Sequence, residues 1–331
     1  CVIVKMKFLL ILFLLIPELT QAQLNHQAIL NQLKPAGSLP DKILSTRSAV
    51  LYSPNLTKKE IDELHTGLSR TGIDAVAYFE IDRVFAGRDI ELAFSEYFTT
   101  REIVNFLIVE KSNPGYKLAI TTFNGRENLI QAGQSAWTIE DVYLKDALRV
   151  LYSTALNAYR KQNLLISDVA ETRLTVNVIS GRRTEAFATD LKVDRLAVQK
   201  FGDEQLDREL EEIMKDYPFK YTLVDSNIPE SELRKQGMFY ILCMIHSRGP
   251  VAKQLLGFEV SEAETALVSV TYPNGLEQLK TIPATMPVFK FYARQIQFNN
   301  VFLGTRWDAD ITWQQALRNF IVGFKRELRI N

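Results

Sequence analysis

Twice in this chain a tryptophan near a glycine-led turn is followed, nine or ten residues on, by Ala-Leu-Arg inside a helical pattern. The first instance runs from Gly133-Gln134-Ser135-Ala136-Trp137 to Ala147-Leu148-Arg149, the second from Gly304-Thr305-Arg306-Trp307 to Ala316-Leu317-Arg318. Both helical patterns end in basic pairs, Arg160-Lys161 and Lys325-Arg326, which suit the negative end of a helix dipole. Three further landmarks recur in the same order: the apolar runs 48–52 and 220–225, the runs 104–112 and 240–247, and the turn-bearing stretches 121–125 and 270–275. A chain whose landmarks repeat in order is constrained to one structural unit used twice, and 331 residues are enough to give each unit a core.

Within the first unit, strand and helix patterns alternate. The run 48–52 predicts a buried strand. Thr57-Lys58-Lys59-Glu60 is a capping box, and Ile61, Leu64 and Leu68 then share one helical face until Gly72. A strand follows over 74–79, a helix marked by Ile90, Phe94 and Tyr97, and a strand over 104–109. Asn113-Pro114-Gly115 predicts a hairpin into 117–122, and a helix over 142–160 closes the unit. In the second half, 220–225 aligns with the first strand, and no counterpart of 74–79 is apparent. The alternating segments 288–296 and 301–303 around Asn299-Asn300 look like an added hairpin. The run 174–179 predicts a strand between the units, and Leu206, Leu210 and Ile213 mark a helix. The expected fold is therefore α/β: two related, Rossmann-like α/β repeats with mixed sheets and a β-hairpin insertion in the second. The expected divisions are a signal peptide over 1–22, a loosely packed leader over 23–45, repeats over 46–165 and 219–331, and a connector over 166–218.

The N-terminal stretch reads as targeting. Lys5 and Lys7 precede an unbroken apolar run over 8–16, Pro17 ends it, and Thr20-Gln21-Ala22 presents small residues to a signal peptidase. Such a run rises about 14 Å as a helix, half the thickness of a bilayer core, so cleavage after Ala22 is expected rather than a membrane anchor. The mature chain would then be periplasmic or extracellular, with no transmembrane segment. Cys243, inside an apolar run, reads as an inert core residue in such a compartment.

The chemistry is constrained mostly by what is missing. Lysine plus arginine and aspartate plus glutamate each number 39, which gives no electrostatic case for nucleic acid. There is no glycine-rich phosphate loop, no dinucleotide fingerprint, no His-Glu-x-x-His, no nucleophile elbow and no Cys-x-x-Cys. Two cysteines form no disulfide framework, and the spacing specifies neither a cofactor nor a metal centre. Of three histidines, His26 lies in the leader and His65 reads as an exposed helix flank. His246 ends an apolar strand just before Ser247-Arg248, the place where ligands meet open α/β sheets. Other polar groups at strand ends or helix starts are Asp82, Arg88, the pair Arg182-Arg183, and Asp225. Arg88 beside a helix start suits an anion, the paired arginines suit a phosphate or carboxylate, and two aspartates suit a hard cation if they converge. The candidate ligand-binding set is Asp82, Arg88, Arg182, Arg183, Asp225, His246 and Arg248, with catalytic residues undetermined. The late aromatics, among them Phe289, Phe291, Tyr292, Trp307, Trp313, Phe320 and Phe324, read first as core.

The ending Val288-Phe289-Lys290-Phe291-Tyr292, then Val301-Phe302-Leu303-Gly304-Thr305-Arg306-Trp307-Asp308-Ala309-Asp310-Ile311-Thr312-Trp313-Gln314-Gln315-Ala316-Leu317, resembles an uncharacterised exported protein family of Bacteroidota. Some members of that family carry the label NTPase. The resemblance implies a cell-envelope location and transfers no catalytic residue. The expectation is a non-catalytic envelope protein that binds a partner or small ligand. The alternative is a periplasmic hydrolase of nucleotides or other phosphate esters that lacks a Walker A loop.

Overall fold

The computed structural model describes residues 26–126, 128–158, 165–261 and 263–330. The signal-peptide stretch with its Ala22 cleavage point, and the Arg160-Lys161 pair, lie outside the described residues.

The first unit comprises α1 (His26–Gln32), β1 (Lys34–Ala36), β2 (Arg47–Tyr52), α2 (Lys58–Thr71), β3 (Asp74–Glu80), α3 (Ile81–Val84), α4 (Arg88–Thr100), β4 (Ile103–Ser112), β5 (Gly115–Thr122), β6 (Ser135–Asp141) and α5 (Leu144–Ala155). The capping box at α2 forms as its sequence dictates: Thr57 Oγ1 accepts from the Glu60 N–H at 3.3 Å, and the Thr57 N–H donates to Glu60 Oε2 at 2.7 Å. Against its own burial, Glu60 is held down at about 2 by hydrogen bonds from Lys111, Tyr116 and Thr57. Gly72, at φ 89°, closes the helix with its N–H on Leu68 and Ser69 carbonyls.

The second unit comprises β7 (Arg183–Thr184), β8 (Arg195–Gln199), α6 (Glu204–Met214), β9 (Tyr221–Val224), α7 (Glu230–Lys235), β10 (Met238–Arg248), α8 (Gly249–Leu255), β11 (Ala266–Thr271), β12 (Gln278–Pro283), β13 (Pro287–Gln295), β14 (Val301–Phe302) and α9 (Trp313–Glu327). The two six-stranded sheets run β1-β6-β5-β4-β2-β3 and β7-β14-β13-β10-β8-β9. Each has three adjacent parallel strands, then an antiparallel pair, then an outer strand parallel to the last of that pair. The duplication is thus present strand for strand, in two α/β units with mixed sheets.

The alignment of the copies differs from the one the sequence suggests. Tyr221–Val224 is the counterpart of β3, not of the first strand, because β8 takes the first place beside β10. The apolar run of β8 is only Leu196-Ala197-Val198, too short to stand out, yet it is held by parallel partners on both sides. Segment 166–218 therefore carries β7, β8 and α6. Likewise β13–β14 is the counterpart of β5–β6, and the hairpin inserted in the second unit is β11–β12, which forms its own two-stranded sheet. The leader is not loose: Ile29, Leu30, Leu33, Ile43 and Leu44 are buried, and β1 completes the first sheet.

Three apolar clusters organise the layers. One covers the outer face of the first sheet under α2 and α5, and another covers the second sheet under α6 and α9, where Trp313, Leu317, Phe320 and Phe324 are buried. The third lies between the sheets and draws on both units: Phe79, Phe94, Phe98 and Phe106 from the first, Ile241, Ile245, Val251 and Leu255 from the second. Burial of so much shared apolar surface joins the units into one body.

A backbone contact fixes that junction. β8 pairs with β10 only as far as Leu242, so the later half of β10 has a free edge. The turn before α4 fills it: the His246 N–H donates to the Ala86 carbonyl at 2.7 Å. Gly87 comes so close that a Cβ there would lie 2.5 Å from the Met244 carbonyl oxygen, and its φ of 147° favours glycine as well.

Segment 174–179 is not a strand. Residues 171–180 have no regular secondary structure, yet they alternate half-buried Leu174, Val176 and Val178 with exposed Thr175 and Asn177. That is the alternation of extended chain. Leu174, Val176, Val178 and Ile179 pack onto the central cluster, and the segment crosses the molecule as a strap rather than joining a sheet.

Candidate functional site

Beneath the strap, a cavity of about 1100 Å³ opens where the units meet. Its walls come from the end of β3 (Phe79, Glu80), the start of α8 (Pro250, Val251) and the strap itself. Arg83, Arg173, Arg183 and Arg248 line it, against Glu80 as the lining carboxylate. A second cavity, of about 720 Å³, lies beside the later part of the strap and is lined by Arg88, Asp89, Glu230, Tyr292 and Arg294.

The long β10 strand delivers Arg248 to the first cavity. Arg248 Nε donates to Asp82 Oδ2 at 2.6 Å, and Nη2 donates to Glu80 and to Asp82 Oδ1. Ser247 Oγ adds a bond to the Asp82 carbonyl at 2.9 Å. Among the described residues Nη1 has no partner, so the guanidinium is held on one side and free on the other. Arg183 is held in the same manner, by Nε on the Leu256 carbonyl at 2.6 Å, by Glu185 at 2.8 Å, and by stacking 4.5 Å over Phe258. Tyr52 stands in the same lining, and its phenol is pushed up to about 12, first by burial and then by Glu80.

His246 is near this constellation but not in the cavity wall. It is buried, with its ring stacked on Phe289 at 3.9 Å and 3° between planes, and among the described residues its Nδ1 has no partner. Burial pushes its pKa down to about 4, against the opposing charge of Asp82, so the imidazole is neutral at ordinary pH.

The structure thus brings Arg248 and Arg183 to one cavity, with Asp82 bound to Arg248 and His246 buried outside the lining. Three other candidates stand elsewhere. Asp225 is exposed and paired with Lys200 at 3.1 Å. β9 ends level with Cys243, which leaves Asp225 roughly 13 Å short of Arg248 along the strand direction. Arg182 is exposed, its N–H on Asn300 Oδ1 at 2.9 Å. Arg88 lines the second cavity and donates to the Ser226 carbonyl at 2.7 Å. Asp82 and Asp225, each with its own cation, do not converge on a shared ion.

Several charged groups escaped the sequence reading. In the second cavity Arg294 faces Asp89 and Glu230, with Nε on Asp89 Oδ2 at 2.8 Å. Cys243 lies buried beside them, its thiol pushed well up by burial and then by Asp89. Deeper still, fully buried Lys290 meets Asp308 at 2.7 Å and donates to the Phe291 and Leu303 carbonyls, each at 2.8 Å. The available signal was a cation set inside the apolar run of β13, which packs on both faces and must pair any charge it carries. His65 was misplaced as well. It is buried, and the Ser167 carbonyl accepts from Nε2 at 2.9 Å, so Nδ1 accepts from the Tyr78 hydroxyl at 2.7 Å. The spacing from Ile61 to His65 is one helical turn, which puts both on the buried face.

The chain matches no protein-family model and no curated protein.

Proposed function

We propose that the chain is an exported cell-envelope protein that binds a partner or a small ligand between its two units and performs no chemistry on it. The observation that carries this reading is the state of the ionisable groups around the first cavity. Arg183 and Arg248 are held and, among the described residues, keep spare donors, while each candidate base is occupied or withdrawn. Asp82 accepts from Arg248, His246 is neutral and stacked behind the wall, and the Tyr52 phenol is pushed up to about 12. General acid–base catalysis needs a group that titrates near the working pH and reaches the substrate. Phosphate-ester hydrolysis would need Asp82, Asp225, His246 and the Arg182-Arg183 pair around one substrate, and Asp225 and Arg182 stand apart. Fixed guanidinium groups, by contrast, lower the ordering cost of holding an anion. Export and the envelope location rest on the apolar run 8–16 and on the resemblance of the C-terminal stretch.

The test is a thermal-shift panel of nucleotides, small organic anions, divalent cations and glycans, run beside a phosphate-release assay. An upward shift with an organic anion and no phosphate release is the expected result. A shift with nucleotide plus metal, accompanied by phosphate release, overturns it in favour of a hydrolase.

A further inference from the structure

We infer that the strap is a docking strand, and that its partner is an acidic peptide segment of another protein that binds in extended form along the first cavity. The inference rests on the binding role proposed above and names the class of ligand. The sequence Thr172-Arg173-Leu174-Thr175-Val176-Asn177-Val178-Ile179-Ser180 is rich in β-branched residues and free of proline and lysine. It has the composition of a strand and the alternating burial of one, but among the described residues no strand pairs with it. Tyr78 N–H reaches the Glu171 carbonyl before it, and Val301 N–H reaches the Arg182 carbonyl after it. Between these points, among the described residues, no backbone N–H or C=O of 172–180 bonds to the protein. Unpaired edges of this length are normally blunted by charge, proline or a covering element, because they template pairing with another chain.

What lies beside the strap decides the occupant. The cavity follows it along Thr172, Arg173, Leu174, Thr175, Val176 and onward to Gly181, a span of roughly 30 Å for extended chain. Four arginines face that space against Glu80, and among the described residues the Nη1 donors of Arg183 and Arg248 have no partner. A small anion would engage the arginines and leave the strap's backbone unpaired. An extended peptide with aspartate or glutamate side chains satisfies both: main-chain bonds to the strap and charge-assisted bonds to the guanidiniums. The strap of a second copy is a poor fit, since 172–180 contains Arg173 and no acidic residue.

A random dodecapeptide library selected on the whole chain tests this, with hydrogen–deuterium exchange locating the bound peptides. The expected result is enrichment of peptides that set acidic residues among β-branched ones and slow exchange across 172–180. Binding should fall about tenfold or more in Val176→Pro, which removes a strap donor, and in Arg173→Glu, which reverses an exposed charge. The inference is overturned by enrichment of neutral or basic peptides, by protection elsewhere, by no enrichment above the Val176→Pro chain, or by strap protection through dimerisation alone. If the peptides fail while organic anions still raise the melting temperature, the peptide class falls and the binding role stands. If the anions fail too, both fall.

Discussion

Two arginines of the second unit each face a pair of carboxylates at the junction, and they are not equivalent. Arg294 spends all of its donors. Nε and Nη2 bond Asp89, Nη1 and Nη2 bond Glu230, and Nη1 also reaches Asn299 Oδ1 at 2.9 Å. Arg248 bonds Asp82 and Glu80 through Nε and Nη2 and, among the described residues, leaves Nη1 free. Exposure follows the same order, with side chains 9% and 24% accessible respectively. A guanidinium with every donor satisfied in a buried setting is a structural tie. One held from behind, with donors left toward a cavity, is arranged to meet something else. On the binding role proposed above, similar inventories of charge serve cohesion at one site and recognition at the other.

The largest expected effect tests the tie. Arg294→Met leaves Asp89 and Glu230 facing each other without compensation, and removal of one partner from a buried charge cluster costs about 3–5 kcal/mol. Urea denaturation at pH 7 should show a loss of that order. A loss below about 1 kcal/mol would mean the cluster is already solvated, and the contrast with Arg248 would collapse.

How much of this was legible beforehand depended on local signals. The α2 capping box, the β4–β5 hairpin and the buried face of α9 follow from periodicity and turn chemistry, and they formed as expected. β8 did not announce itself, because a three-residue apolar run becomes a strand only when parallel neighbours supply its partners. The strap failed in the opposite sense: its composition is that of a strand, but pairing is a tertiary property and none is supplied. At the site, Asp82, Arg183 and Arg248 were reached by attention to strand ends. Arg294 and Lys290 were missed because they lie inside a strand, where the expectation was alternating core. Asp225 was a strand end too, but on a strand that stops far short of where β10 carries Arg248.

His246 allows the comparison to be probed by pH. Its folded pKa is depressed from 6.5 to about 4, so between those values the unfolded chain takes up a proton that the folded chain refuses. Stability should therefore fall as pH drops from 6.5 toward 4 and level off below, with this residue contributing about 3 kcal/mol to the fall. His246→Phe keeps a ring against Phe289 and removes the titration. The variant should lose less stability than the parent chain when urea midpoints at pH 7 and pH 4.5 are compared. Equal losses would show that the imidazole is hydrated, which would open the wall behind Asp82 and blur the boundary of the cavity.

The smallest stability effect should come from Arg248→Met. Glu80 and Asp82 lose their cation, but Glu80 lines the cavity, neither carboxylate is fully buried, and water can replace the guanidinium, so about 1–2 kcal/mol is expected in the same urea assay. Binding should respond in the reverse order. Arg248→Met removes a free donor from the cavity and should abolish the thermal shift caused by an organic anion. Arg294→Met, assayed where it remains folded, should keep that shift, because its guanidinium has no donor left to offer a ligand. If Arg248 proves the costlier residue for folding and Arg294 the costlier for binding, donor saturation does not separate ties from binding groups in this protein. The first cavity would then lose its claim over the second.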